Sequence, residues 1–363
     1  MHVKLICPGG AAYYHVLSFP VTANREDRGP VRRAVISDVA RLAGVSHQTV
    51  SRVINGSEHV REETRDQVLA AMQKLDYRPN PVARALVTGR SSTIGVVSFD
   101  TTLYGPASTL FGIERAAHEA GYFTSNVSLE SLDRTSVLTA VERLRSQAVD
   151  GILVIAPQVT AAHAVAHLPG DVPVVAVEAG ADDGLPVVAV DQFAGAAAAT
   201  RHLLELGHRT VWHIAGPGDW YESRQRIAGW LHAMEEARAE PRNPLVGDWS
   251  ARAGYELGQR LMNEPRVTAV FVANDQMALG VLRVLHEAGR RVPGDVSVVG
   301  FDDIPEAAFF TPPLTTVRQD FMEMGRRSLH LLLREMGNAT RTTTRETVPS
   351  ELIVRASTAE PGS

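Results

Sequence analysis

Short apolar runs recur between residues 92 and 303, each followed by a stretch of helical periodicity. "STIGVVS", "YFTSNVS", "DGILVIAP", "VPVVAVE" and "VVAV" form a first series, with a helix expected near Ser108–Ala120 after the first run. After the helical "AAAATRHLLELG" the pattern restarts as "TVWHIAGP", "TAVFVAND" and "DVSVVGFDD". Continuous apolar runs of this length fit strands buried on both faces, and strands alternating with helices build parallel sheets. Run twice, the alternation predicts an α/β body of two lobes, each a doubly wound parallel sheet. Ligands of such sheets bind outside the carboxyl ends of the strands, and here also between the lobes.

The chain is long enough for such a body and more. It has 363 residues, 44% of them hydrophobic, which suggests two or three domains. Cys7 is the only cysteine, so no internal disulfide forms. No apolar run has the length of a membrane span, and "MHVKLICPGG" is too short of apolar residues for a secretory signal, so the expected location is the cytoplasm. Residues 1–34 are interrupted by Gly9, Gly10, Pro20, Gly29 and Pro30 and read as a disordered extension.

Charge is unevenly spread. The net charge is −5, yet residues 31–90 hold ten Arg or Lys against six Asp or Glu, a local +4. That segment begins with a helix, Asp38–Ala43, preceded by Ser37 and stopped by Gly44. Ser46 then caps a second helix, His47–Asn55, and a third runs from about Arg61 to Asp76 with Val68, Leu69, Met72 and Leu75 inward. Two short helices joined at a glycine and braced by a third make a helix-turn-helix unit. In that motif the second helix enters the major groove by its front end, where glutamine pairs with adenine and arginine with guanine. The polar set His47, Gln48, Ser51, Arg52 and Asn55 suits that use, and equally suits the solvated face of a small helical domain; the local charge favours the first. In "YRPNPVARALVTGRSS", Asn80 is a good helix N-cap and Pro81 suits the first helical position. The following two turns are too short to persist alone, which predicts either a hinge helix that folds against a partner or a plain linker.

In the body, "VFVAND" ends at Asn274 and Asp275, and "VVGFDD" at Asp302 and Asp303. Each pair serves either as a helix cap or as a ligand contact. Arg226 in "ESRQRIAGW" and Trp249 in "GDWS" are taken alone a surface arginine and a packing indole. Together, a carboxylate, an amide, a guanidinium and an indole are the set that holds a sugar by hydroxyl bonds and stacking.

The span "VISDVARLAGVSHQTVSRVINGSEHVREETRDQVLAAMQKLDYRPNPVARALVTGRSSTIGVV" resembles the headpiece and hinge of the lactose-repressor family of bacterial transcription factors. "AVFVANDQMALG" and "VSVVGFDDIPEAAFFTPPLTTVRQDF" carry the resemblance through the body. The resemblance implies that His47, Gln48 and Arg52 read bases and that Thr49, Ser51 and Asn55 hold phosphates or the turn. It also groups Asn80 with the DNA contacts and makes Leu86 a wedge in the minor groove. It further implies that Arg226, Asn274 and Asp302 bond sugar hydroxyls, that Trp249 and Phe321 line the pocket, and that Leu103 and Pro106 fall at pocket positions. Phe99, also at a pocket position, and Ile155 stand where a sugar-binding relative has smaller or polar groups, which leaves the sugar unspecified. The chain ends soon after "ELIVRASTAEPGS" without a heptad tail of the kind that makes tetramers, so a homodimer is expected.

The expected layout is therefore an extension at 1–34, a helix-turn-helix domain at 35–79 and a hinge helix at 80–91. A two-lobe, periplasmic-binding-protein-like body follows at 92–358, with the first lobe at about 92–190 and 319–348 and the second at 191–318 and 349–358. Residues 359–363 form a tail. The expected function is a transcriptional repressor on near-palindromic operator DNA, released by a sugar inducer. A co-repressor answering to a purine or other metabolite is the alternative, and a sugar-transport protein a more distant one. No nucleophile, base and oxyanion hole assemble in the sequence, so an enzyme is not expected. No cofactor is expected. His163 and His167 have an i, i+4 spacing but no third ligand nearby, so no metal site is read there.

Overall fold

The computed structural model describes residues 34–57, 59–79, 89–129, 133–158, 172–180, 184–264, 267–338 and 340–362. The expectations for residues 1–33, for Asn80 and Leu86 of the hinge, and for His163 and His167 lie outside them. The described residues fall into two compact units divided after Asn80.

The first unit holds α1 (Ile36–Ala43), α2 (His47–Ile54) and α3 (Glu62–Lys74). Gly44 ends α1 at φ 66°, a left-handed conformation in which a Cβ is strained, and this sets the tight turn into α2. Val39, Ala40, Val50, Val53, Val68 and Ala71 form the core. Two details differ from the sequence reading. The first helix starts at Ile36, because the Val35 N–H donates to the Asp38 carboxylate (3.0 Å) and Ser37 falls inside the helix. Leu69 is half exposed: with Val68, Ala71 and Leu75 on the buried stripe, the next residue after Val68 is rotated about 100° away from it.

The body opens with β1 (Thr93–Phe99), α4 (Tyr104–Glu119), β2 (Phe123–Leu129), α5 (Arg134–Ser146) and β3 (Gly151–Ile155). It continues with β4 (Val174–Val177), β5 (Val187–Val190), α6 (Gln192–Glu205), β6 (Trp212–Ala215), α7 (Tyr221–Glu236) and β7 (Leu245–Val246). Then come α8 (Ala251–Met262), β8 (Ala269–Val272), α9 (Asp275–Glu287), β9 (Ser297–Asp302), β10 (Thr315–Gln319), α10 (Phe321–Glu335), β11 (Arg345–Val348) and β12 (Ser350–Ile353). Six strands make the first sheet, in the order β11-β5-β4-β3-β1-β2, all parallel. Six make the second, β12-β10-β9-β8-β6-β7, where only the edge strand β12 is antiparallel to its neighbour. The body is therefore doubly wound twice over, with one antiparallel edge that the parallel-sheet reading did not contain.

The central strands β3, β4, β5, β6 and β8 are buried at every position, the physical origin of their apolar runs. Helices close both faces. Where α4 meets α10, a Cβ on Gly112 or Gly325 would collide with the other helix's backbone, so these glycines permit the close approach. Helix α4 begins at Tyr104, earlier than expected, with Pro106 in its first turn, where proline costs no hydrogen bond.

The chain passes between the sheets three times: after β5, between β10 and α10, and between β11 and β12. The three crossings run side by side. Asp191 N–H donates to Val348 O (2.9 Å), Ser350 Oγ to Asp191 O (3.0 Å), and Gln192 Nε2 to Gln319 Oε1 (2.8 Å).

Candidate nucleic-acid interface and ligand cavity

In the first unit, Ser46 Oγ accepts from Thr49 N–H (3.1 Å) and fixes the first turn of α2. Val50 and Val53 turn inward, which leaves His47, Gln48 and Arg52 exposed. None of these three forms a hydrogen bond or ion pair with another described side chain, so their donors and acceptors are free for an outside partner. Thr49 and Asn55 are tied locally, to Ser46 (2.9 Å) and Ser51 (3.4 Å).

In the body, a cavity of about 240 Å³ lies between the lobes. Leu103, Pro106, Arg226, Trp249, Asn274, Asp302 and Phe321 all line it. Phe99 does not. It packs against the apolar cores of both lobes, 6.2 Å from the Trp220 ring, and it is Trp220 that lines the cavity.

Arg226 is buried and ties the polar wall together. Its Nε donates to Gln192 Oε1 (2.9 Å), its Nη1 to the carbonyl of Ala273, and its Nη2 lies 3.5 Å from Asp302 Oδ1. The guanidinium stacks 3.8 Å from the Phe301 ring. Gln319 Nε2 donates to the same Asp302 oxygen (2.6 Å), closing a chain Asp302–Gln319–Gln192–Arg226 across the crossings. Burial pushes the Asp302 carboxyl up to about 6, against the opposing pull of Arg226 and Gln319. Asn274 has two jobs: its Oδ1 caps α9 by accepting from Met277 N–H (3.0 Å), and its Nδ2 donates to Trp249 O (3.0 Å). The neighbours of these residues serve the fold instead. Asp275 accepts from Ile304 N–H (2.9 Å) and Thr316 Oγ1 (2.6 Å), and Asp303 pairs with Arg318 (2.7 Å) and Arg355 (2.6 Å).

The sequence reading missed Glu178, Gln192, Trp220, Glu222 and Gln319, all in the cavity wall. A signal was available for two of them. Glu178 directly follows β4 and Gln319 ends β10, both at carboxyl ends of strands, where such sheets bind ligands. Asp302 and Trp249 hold φ 109° and 74°, and Glu178 φ 58°, conformations rare for residues with side chains.

Residues 35–80 match the family of bacterial regulatory proteins, lacI family, and residues 200–358 match the periplasmic binding protein-like domain. The lactose operon repressor of Escherichia coli (strain K12) is 35% identical over 337 residues, 91% of this chain and 92% of that protein. The chain belongs to the lacI family. It is an effector-controlled transcriptional repressor. The HTH-type transcriptional repressor PurR of Haemophilus influenzae is also 35% identical, over 89% of this chain and 98% of that one. Among solved structures, the lac repressor dimer bound to operator and the anti-inducer ONPF superposes with a TM-score of 0.81, 35% identity, and 90% and 100% of the two chains covered. Among the described residues, no helix is long and apolar enough to cross a membrane.

Proposed function

We propose that two copies of this lacI-family chain bind a near-palindromic operator and that a sugar seated between the lobes weakens that binding. The observation that carries the reading is the position of the cavity: its polar wall is the hydrogen-bond chain that joins two of the three crossings through Gln192 and Gln319. A ligand there makes different contacts at different lobe angles, which is the condition for shifting an equilibrium between them. A coupling of about 1–3 kcal/mol, typical for such linkage, changes operator affinity by roughly 5- to 150-fold.

In this reading α2 enters the major groove by its front end. His47, Gln48 and Arg52 contact base edges, while Thr49, Ser51 and Asn55 exchange their local bonds for phosphate oxygens. In the cavity Arg226, Asp302 and Asn274 bond hydroxyls, and Trp220, Trp249 and Phe321 supply apolar faces for the ring. Exposed apolar side chains on each lobe favour a homodimer: Phe111 and Phe123 on the first, Leu279 and Phe309 on the second, the last 86% exposed. We place the protein in the cytoplasm, where operator DNA lies. We also read the cavity as binding without turnover, because Arg226, Gln192, Gln319 and Asp302 already bond one another rather than activating a nucleophile.

A thermal-shift screen of mono- and disaccharides tests the effector reading. At least one sugar is expected to raise the melting temperature, and Asp302→Ala is expected to lose that response. A sugar response unchanged in Asp302→Ala rejects the pocket assignment. A ligand that tightens operator binding instead makes the protein a co-repressor.

A further inference from the structure

Two glutamates in the cavity wall stand beside the hydrogen-bond chain, with the Gln192 side chain holding the Glu178 carboxyl down, and neither pairs with Arg226. Glu178 follows β4 in the first lobe, and Glu222 sits in the first turn of α7 in the second. Glu178 is 4% exposed and Glu222 9%. Glu178 Oε1 accepts from Val190 N–H (3.2 Å), but its Oε2 is buried with no donor, and so is Oε2 of Glu222. A buried acceptor left unpaired costs roughly 1–3 kcal/mol, and more when charged, so two in one small cavity ask for donors from outside the protein. Arg226 does not provide them. Its nitrogens bond Gln192 and Ala273 and pair with Asp302, and it forms no ion pair with either glutamate.

Charge points the same way. Among the residues lining the cavity, three carboxylates, Glu178, Glu222 and Asp302, face one cation, Arg226. Among the described residues, Tyr221 and Arg345 are the other ionisable groups that act on Glu178. Arg345 donates to the Tyr221 hydroxyl (2.6 Å) and lies on the exposed edge strand β11. Glu178 also takes a left-handed backbone conformation (φ 58°), as do Trp249 and Asp302 in the same wall.

We propose that Glu178 and Glu222 together seat a protonated amine, so that the effector of this protein is an amino sugar. The inference rests on the sugar reading of the cavity and specifies it. An ammonium group offers three donors and one positive charge, enough to satisfy both orphaned oxygens and to balance the excess of carboxylates. Without it, burial pushes Glu178 up to about 7, and burial together with the charge of Glu178 holds Glu222 well above the usual carboxylate range. The free cavity therefore keeps protons on this pair near neutral pH, and a bound ammonium displaces them. The sign for stability follows. A carboxyl raised in the fold favours the folded state below its ordinary value, about 4.5, and loses that contribution as pH rises through about 7.

Calorimetry on the full chain at about pH 6.5 with glucosamine against glucose, galactosamine against galactose, and mannosamine against mannose tests the proposal. At least one amine is expected to bind about tenfold or more tighter than its parent sugar. Its binding should release protons, seen as a dependence of the heat on the buffer's ionisation enthalpy. Glu222→Gln and Glu178→Gln are expected to lose both the preference and the proton release. Each variant is also expected to melt with a weaker fall in stability between about pH 5 and pH 8 than the parent chain, which confirms that it folds. Equal or weaker binding of every amine than its parent sugar overturns the amine seat, as does a preference that survives in both variants. The sugar reading is judged separately, by the wider screen and its Asp302→Ala arm.

Discussion

Replacing Arg226 by leucine is expected to abolish the effector response and to destabilise the body by about 3–5 kcal/mol, the usual cost of removing one partner from a buried charged pair. The expected effect is large because Arg226 serves several partners at once. It is 4% exposed, stacks on Phe301, holds Gln192 and the Ala273 carbonyl, and pairs with Asp302. Its charge also lowers the carboxyls of Asp302, Glu178 and Glu222, each of which burial pushes up. Without the guanidinium those carboxyls take up protons, and Gln192 and the Ala273 carbonyl lose their buried donor. Loss of charged hydrogen bonds worth roughly 1.5–3 kcal/mol each predicts a fall in sugar affinity of about 100-fold or more. Urea denaturation and calorimetry measure the two effects. Arg226→Lys separates charge from shape: it keeps the cation but not the planar fork, and is expected to recover part of the stability and little of the binding. A leucine variant as stable and as responsive as the parent chain contradicts the role assigned to the hydrogen-bond chain.

The second large effect is expected in the headpiece. Gln48 and Arg52 are exposed on α2 and engaged with no described side chain, while Val50 and Val53 hold the helix to the core. Substituting either by alanine removes no hydrogen bond or ion pair among the described residues, so folding is expected to be unchanged. A bidentate base contact carries roughly 1–3 kcal/mol of discrimination, so each substitution is expected to weaken the preferred duplex by about 5- to 150-fold and to relax the preference at one base pair of each half-site. A phosphate-holding side chain behaves otherwise, weakening all duplexes alike and reducing the salt slope by about one unit. Selection from a random duplex library, repeated with each variant, distinguishes the two. A set of selected sequences that stays the same in both variants contradicts base reading by this helix.

What the sequence revealed, and what it hid, follows from burial. Strands such as "GILVI" and "VVAV" are buried on both faces, so they stand out as apolar runs. The edge strands β7, β11 and β12 have mostly exposed and half-buried positions, with Val348 of β11 the one buried, and carry no such run, which is why they surfaced only in the structure. The headpiece was legible because a glycine turn and a serine cap leave local marks. The cavity was half legible. Asn274 and Asp302 stood out at the ends of apolar runs and Arg226 in their company, and the resemblance gave all three a role, whereas Glu178, Gln192, Glu222 and Gln319 come from four separate elements and meet only once the chain has crossed between the lobes. No local spacing records such a meeting. Phe99 shows the converse: it ends a strand at the right place, yet it packs against Trp220, and Trp220 lines the cavity instead.

The most direct test of a remotely controlled base-reading helix is fluorescence anisotropy of the purified protein on its selected near-palindromic duplex and on a scrambled duplex, with and without the sugar found by screening. The account predicts tight binding to the selected duplex alone. It also predicts a loss of affinity on adding sugar, matched by an equal factor in the affinity for sugar when DNA is added. Equal binding to both duplexes, indifferent to every sugar, would contradict it.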